Sequence, residues 1–379
     1  MLFLYVLRSL RSRFASVIPT VVTISSAVLV ICVLVAGLDS LRSAVLDSGS
    51  VSNGMVLSSN AEEDVMSTID RETMERLKVA PGIKRGQGGP LLSPELRNQL
   101  RVIRRDGGLD YVDMRGVEAV ALEVHPQIQI VDGALPTPGS PGVVIGSRLV
   151  DKYEGFQRGG TIQVGKHRWP VVGTFRAPGT KFESEIWCDR RALAEEFQLG
   201  GYSIAAFQLE QPDSLAEVQR VVKDMHDQRL QAISERTYYQ RLFSRAAMYI
   251  RAVELVILAL GLGVIFSTTN TMYAAFLERI PEFGTMLAIG YTKRRMAGLL
   301  FQESLMLALV SGAIGLAGVW LTDGYSMVYQ SLALSFTLRI GARIALVGVA
   351  VSLAIGILGA LISVVQVLRL DTLSALREG

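Results

Sequence analysis

Half of the 379 residues are hydrophobic, 19% are charged, and the formal net charge is +3. That charged fraction lies below the roughly 25% usual for soluble domains, and so small and dispersed a positive excess excludes a nucleic-acid footprint. Cys32 and Cys188 stand in environments too different to pair, so no internal disulfide is expected, and His125, His167 and His226 lack metal-ligand spacing.

Four stretches reach the roughly 18–20 mostly apolar residues that a membrane-spanning helix requires. Residues 1–14 read as an amphipathic helix on the inner leaflet. Leu7, Leu10 and Phe14 recur at helical spacing while Arg8 and Arg11 share another face, and a plain extension of the first span is the alternative. Residues 15–38 form the first span. Its apolar core exceeds the roughly 7–15 residues of a signal peptide, so an uncleaved anchor is expected.

Residues 39–234 read as a mixed α and β domain outside the membrane. A helix is predicted over 72–77, ended by Pro81-Gly82. Strands are predicted at 100–103, 117–123, 127–131, 143–145 and 205–209, with a helical turn at 148–153. The segment 161–175, TIQVGKHRWPVVGTF, alternates as two strands joined near Lys166. Its GTIQVGKH string matches most of a phosphate loop, but His167 replaces the hydroxyl residue and no helix follows, so ATP binding here is excluded. Ser214 with Glu217 predicts a capping box for a helix whose buried face is Leu215, Val218, Val222 and Met225.

Residues 235–276 predict one unbroken helix, a stalk leading into the second span. Within it Arg251 and Glu254 have the spacing of an ion pair, and Asn270 ends a polar run from Ser267. Residues 277–295 form a loop, 296–321 the third span, 322–343 a short outer loop, 344–368 the fourth span and 369–379 a tail. Lys and Arg cluster before the first span, in the 278–295 loop and after the fourth span. By the positive-inside rule both termini and that loop are cytoplasmic.

The loop carries a short helix. Pro281 suits its first turn, Glu282 suits the positive end of its dipole, Phe283, Met286 and Leu287 make an apolar stripe, and Gly290 is its stop. The stripe predicts docking into a groove on a soluble partner; a helix lying in the headgroup layer is the alternative. Glu303, inside the third span, is either functional, close enough to the interface to reach water, or paired with a basic loop residue. Gly312 and Gly315 on the third span, and Gly348, Ser352 and Gly356 on the fourth, mark close helix contacts, within the chain or with a second copy.

Glu278-Arg279, Glu282-Phe283-Gly284, Ala288-Ile289-Gly290, Lys293-Arg294-Arg295 and Glu303-Ser304 together resemble the signature of FtsX-like permeases, the membrane subunits of MacB-type (type VII) ABC transporters. The closing VLRLDTLSALREG is similar to that family's end, and VVIGSRLVDKYEGFQRGGTIQV with WPVVGTF resembles the MacB-type periplasmic core. Pro281 and Tyr291 depart from the family pattern. The resemblance implies an α-helical membrane protein, four transmembrane helices with an α+β periplasmic domain inserted between helices 1 and 2. It also implies a bacterial inner-membrane permease that is not itself an enzyme.

ATP and Mg²⁺ are then bound by a separate cytoplasmic ABC ATPase. Its docking site is the coupling helix, with Glu278, Glu282, Phe283, Gly284, Met286, Leu287, Gly290 and Arg294. A second permease, identical or different, and a periplasmic adaptor or membrane fusion protein complete the implied assembly. Mechanotransmission for export of a lipid, peptide or drug-like substrate is the leading expectation. Lipoprotein extraction from the outer leaflet, activation of a cell-wall hydrolase, and a receptor with no ATPase are the alternatives.

Overall fold

The computed structural model describes residues 14–61, 64–225, 230–329 and 334–369. The expected amphipathic helix at 1–14 and the tail at 369–379 lie almost wholly outside them. The chain forms two units. One holds residues up to Asp39, Met248–Tyr325 and those from Leu338 on; the other holds Ser40–Ala247 and Ser326–Thr337.

The first helix, α1 (Phe14–Leu46), continues past the expected end at 38 and supplies residues to both units. The unit of Ser40–Ala247, the outer unit of the expected topology, is built on a ten-stranded mixed sheet. Its strands are β1 (Asn53–Ser58), β4 (Leu92–Ile103), β5 (Leu109–Val117), β6 (Gln129–Gly133), β7 (Val143–Gly146), β8 (Thr161–Val164), β9 (His167–Arg176), β10 (Glu185–Asp189), β11 (Ile204–Gln208) and β12 (Leu230–Ser234). Two residues each, β2 (Arg85–Gly86) and β3 (Gly89–Pro90) make a separate hairpin. The sheet order is β12-β1-β11-β4-β5-β10-β7-β9-β6, with β8 on β9. The β5/β10 and β7/β9 pairs are parallel.

Short helices complete the outer unit: α2 (Arg71–Lys78), α3 (Ala121–Val124), α4 (Ser147–Val150), α5 (Arg190–Phe197), α6 (Leu215–Asp224) and α7 (Glu235–Arg245). Side-chain caps start several of them. The Thr73 N–H donates to Asp70 at 2.7 Å, and the Asp189 carboxylate accepts from the Arg191 and Ala192 N–H groups. Met74, Leu77, Val218 and Val222 pack with Val56, Ala205 and Phe207 in one core cluster; Leu149, Leu193, Met114, Ile145 and Trp169 belong to another.

Three predictions fail here. The strand expected over 117–123 ends at Val117, because the 118–121, 119–122 and 120–123 backbone bonds turn the chain into α3. The capping box at Ser214 does not form: Pro212–Ser214 is already a 3-10 turn, so Ser214 is helical and its side chain makes no cap. The stalk is not one helix; it ends at Ala246, whose N–H bonds back to Phe243, and a new helix starts at Ala247.

A charged network runs through the sheet's interior. The Arg115 guanidinium grips Glu185 at 2.7 and 2.9 Å, also bonds Glu95, and lies over the Phe182 and Trp187 rings. Arg97 reaches Asp64 at 3.0 Å, Glu185 at 3.1 Å and Asp113 at 3.2 Å, and Lys181 meets Asp113 at 2.7 Å. His125 stands 3.5 Å from both Glu95 and Glu235. Every member is buried.

The other unit comprises α1, α8 (Ala247–Leu277), α9 (Ile280–Ala288), α10 (Lys293–Trp320) and α11 (Ala342–Arg369). Four of these helices are long and apolar enough to cross a membrane. A short hairpin, β13 (Ser326–Tyr329) with β14 (Leu334–Thr337), separates α10 from α11 and belongs to the outer unit.

Small residues set the helix contacts. A Cβ on Gly312 would meet the Ser352 hydroxyl at 2.5 Å, and one on Gly315 would meet the Ser25 carbonyl at 2.7 Å. Gly348 faces Leu316 and Cys32, Gly356 faces Ala308, and the Ser25 hydroxyl donates to the Ser311 carbonyl at 2.9 Å. These faces therefore serve packing inside the chain.

Candidate functional site

The residues singled out in the sequence converge on the loop between α8 and α10. Helix α9 opens at Ile280 with Pro281 in its first turn and Glu282 beside it. It closes in a Schellman motif. The Gly290 N–H donates to the Leu287 carbonyl and the Tyr291 N–H to the Met286 carbonyl, both at 3.0 Å. Gly290 takes φ +101°, which a side chain would strain.

The apolar stripe faces inward. Phe283 is 1% exposed and stacks on Phe276 with ring centroids 5.8 Å apart. Together with partly buried Met286 and Leu287 it packs against Met296, Leu300 and Val367. The stripe expected to dock is shared with the chain's own helices: Phe283 and Gly284 are buried there, while Met286 and Leu287 stay half-exposed. The outward face consists of Glu282, Thr285, Ala288 and Ile289, and Ile289 is 79% exposed. Glu278, Gly290, Tyr291 and Arg294 are exposed beside it.

Arg279 anchors the helix from behind. It is 5% exposed, donates to Glu303 at 2.7 Å and to Glu282 at 3.1 Å, and its guanidinium lies over the Phe283 ring. Glu303 is thus paired with a basic loop residue. Sequence reading placed Arg279 in the family signature but gave it no role of its own, although its place three residues before Glu282 gave the spacing of a helical pair. Asn270 is exposed, and among the described residues Arg251 and Glu254 form no ion pair.

The GTIQVGKH string lies on the β8–β9 hairpin, whose turn is at Gly165, so the strand-loop-helix context of a phosphate loop is absent there. Among the described residues no group of His, Cys, Asp and Glu is placed to hold a metal ion.

Two family models match the chain. Residues 18–225 match the MacB-like periplasmic core domain, and residues 254–372 match the FtsX-like permease C-terminal region. The chain belongs to the MacB/FtsX-type family of ABC transporter permeases. It is a multi-pass membrane protein with an α+β domain of the MacB-like periplasmic type between its first and second spans.

A curated relative, the macrolide export ATP-binding/permease protein MacB 1/2 of Paracoccus denitrificans, is 23% identical over 60% of this chain. The chain spans about a third, 35%, of that relative's length. Among solved structures, the periplasmic region of MacB from Actinobacillus actinomycetemcomitans is 12% identical, with TM-score 0.40, covering 52% of this chain and 95% of that one. The extracellular domain of the noncanonic ABC-type transporter YknZ from Gram-positive bacteria is 16% identical, with TM-score 0.37, covering 48% of this chain and 100% of that one. The fold assignment rests on the family models.

Proposed function

We propose that this chain is the permease subunit of an ABC exporter. A separate cytoplasmic ATPase, which binds the ATP and Mg²⁺, docks on the exposed face of α9, and its cycle moves the outer unit to expel a lipid, peptide or drug-like substrate. In this reading the chain sits in the inner membrane with both termini and the α9 loop in the cytoplasm. Two permeases pair, and a periplasmic adaptor receives the motion. The Lys and Arg clusters support the orientation, and the name of the Paracoccus relative supports export over the alternatives.

One observation carries the mechanical part. Leu41, Ala44 and Val45 of α1, Tyr238, Tyr239 and Leu242 of α7, and Phe336 of β14 form one apolar cluster inside the outer unit. These segments are the chain's connections to the membrane helices. A displacement of any of those helices along its chain is therefore delivered to a single packed point, and packed cores pass on movement rather than absorb it.

The test is mass spectrometry of what co-purifies with the tagged chain in mild detergents. An ABC ATPase is expected with the wild type and not with Ile289→Asp, at equal amounts of membrane-inserted chain. Equal ATPase capture by Ile289→Asp would move docking off this helix. No ATPase with the wild type in several detergents would overturn the reading.

A further inference from the structure

Behind Arg279 the four membrane helices line a half-open cavity of about 70 Å³ at the end that carries the α9 loop. Its polar lining includes Glu278, Arg279, Glu303, Ser304 and Ser363. Val17, Met272, Phe276 and Leu307 give it apolar walls. Ser363 is 3% exposed, and among the described residues its hydroxyl has no hydrogen-bond partner. A buried hydroxyl in a helix normally returns its proton to the preceding turn; this one is left to whatever enters the cavity. Ser304, by contrast, already donates to the Met272 sulfur at 3.1 Å.

Charge and size narrow the occupant. Two carboxylates and one guanidinium line the space; Glu303 is paired with that guanidinium, which Glu282 also engages, and among the described residues Glu278 stands unpaired at the exposed mouth. The surplus is negative, so the favoured guest is a cation, and an unpaired anion beside apolar walls would be costly. About 70 Å³ is several times the roughly 10–15 Å³ that admits a water, yet far below the roughly 300–1,000 Å³ of a drug-sized pocket. It takes a small cationic head and leaves the rest of the molecule outside. The surroundings are spanning helices at a bilayer interface, where a small head on an apolar body is a lipid.

We propose that this cavity binds the primary ammonium headgroup of a membrane aminophospholipid. The ammonium sits against the Glu303 and Glu278 carboxylates and donates to the Ser363 hydroxyl, while the acyl chains stay in the bilayer. The bound head closes the gap behind Arg279 and so stiffens the platform on which α9 rests. This inference does not depend on the ATPase reading.

The full chain is reconstituted in nanodiscs of phosphatidylethanolamine with phosphatidylglycerol, or phosphatidylcholine with phosphatidylglycerol, released gently and weighed by native mass spectrometry. One retained phosphatidylethanolamine per chain is expected, with no retained phosphatidylcholine, whose trimethylammonium is too bulky and lacks N–H donors. Glu303→Gln should weaken retention about tenfold, the scale of one lost charge-assisted hydrogen bond. Because Glu303→Gln also loosens Arg279, Ser363→Val is the deciding variant: it fills the cavity without touching the ion pair and should abolish retention at an unchanged melting temperature. Equal retention of either other lipid, or retention unchanged in Ser363→Val, would overturn the proposal. Displacement of the lipid by millimolar free ethanolamine would overturn the lipid assignment in favour of a soluble amine.

Discussion

At the scale of single residues, the charged network in the outer unit makes the sharpest claims. Arg115 is held by two carboxylates and two aromatic rings with no access to water. Arg115→Met would take the main partner from both buried carboxylates, leaving Glu95 beside His125 and Glu185 with Arg97 and the Trp187 N–H. Removing one partner of such a pair costs about 3–5 kcal/mol, so the variant should melt well below the wild type in detergent. The carboxylates also set a pH dependence. Burial alone would raise the Glu95 carboxyl, but the Arg115 charge and the neighbouring His125 bring it down to about 2, and Arg115 and Arg97 lower Glu185 in the same direction. The Glu95 contribution is fully present above the ordinary Glu value near 4.3 and is lost as pH falls from there towards about 2, and the Glu185 contribution has the same sign and persists to lower pH. Glu235 has the opposite sign. Burial raises it, against the pull of His125 and the Ser50 and Asn53 donors, so its cost grows as pH rises from about 4.3 through its raised value and then levels off. Glu235→Gln should therefore melt higher than the wild type at pH 7, with the gap closing by about pH 4; melting curves across pH 4–8 check it. None of this network was legible beforehand. Glu95 and Arg97 alternate with apolar residues along β4 as solvent-facing residues do, and only the elements that cover the sheet's second face make them interior.

At the scale of elements, α9 shows what a periodic pattern does and does not say. The pattern places Phe283, Met286 and Leu287 on one face, and the helix, its proline and its glycine stop were all readable. What the pattern cannot name is the surface that covers the face, because the chain's own α8, α10 and α11 are as apolar as any partner. Phe283→Asp should therefore act on folding rather than docking. Deleting a buried Phe costs about 3–5 kcal/mol, and a carboxylate costs more, so little inserted protein should remain in a membrane fraction, where Ile289→Asp accumulates normally. The small-residue faces follow the same logic. Their spacing was evident, but which neighbour they meet was not until Gly312 was seen against Ser352 and Gly356 against Ala308. Gly312→Leu should separate α10 from α11 and lower the melting temperature, with a smaller loss from leucine at Gly261, beside which a Cβ would meet nothing.

At the scale of the whole molecule, the two units were foreseeable from hydropathy alone, but the packing among the segments that join them was not. The short outer loop between the third and fourth spans offered no sequence signal beyond its length. It contributes a hairpin whose Phe336, 7% exposed, joins Leu41, Tyr238 and Leu242 in the outer unit's core. On the proposed mechanism, motion passed through the chain goes through a cluster that holds three of its segments at once. If that cluster is the transmission point, loosening it should separate the ATP cycle from the work done outside. Phe336→Ala leaves a cavity where those segments meet, far in sequence from α9. The variant should capture the ATPase as the wild type does and hydrolyse ATP at a comparable rate, while export of the substrate falls several-fold. A parallel fall in ATPase capture would mean that the cluster supports assembly, and unchanged export would mean that movement reaches the outer unit by another route.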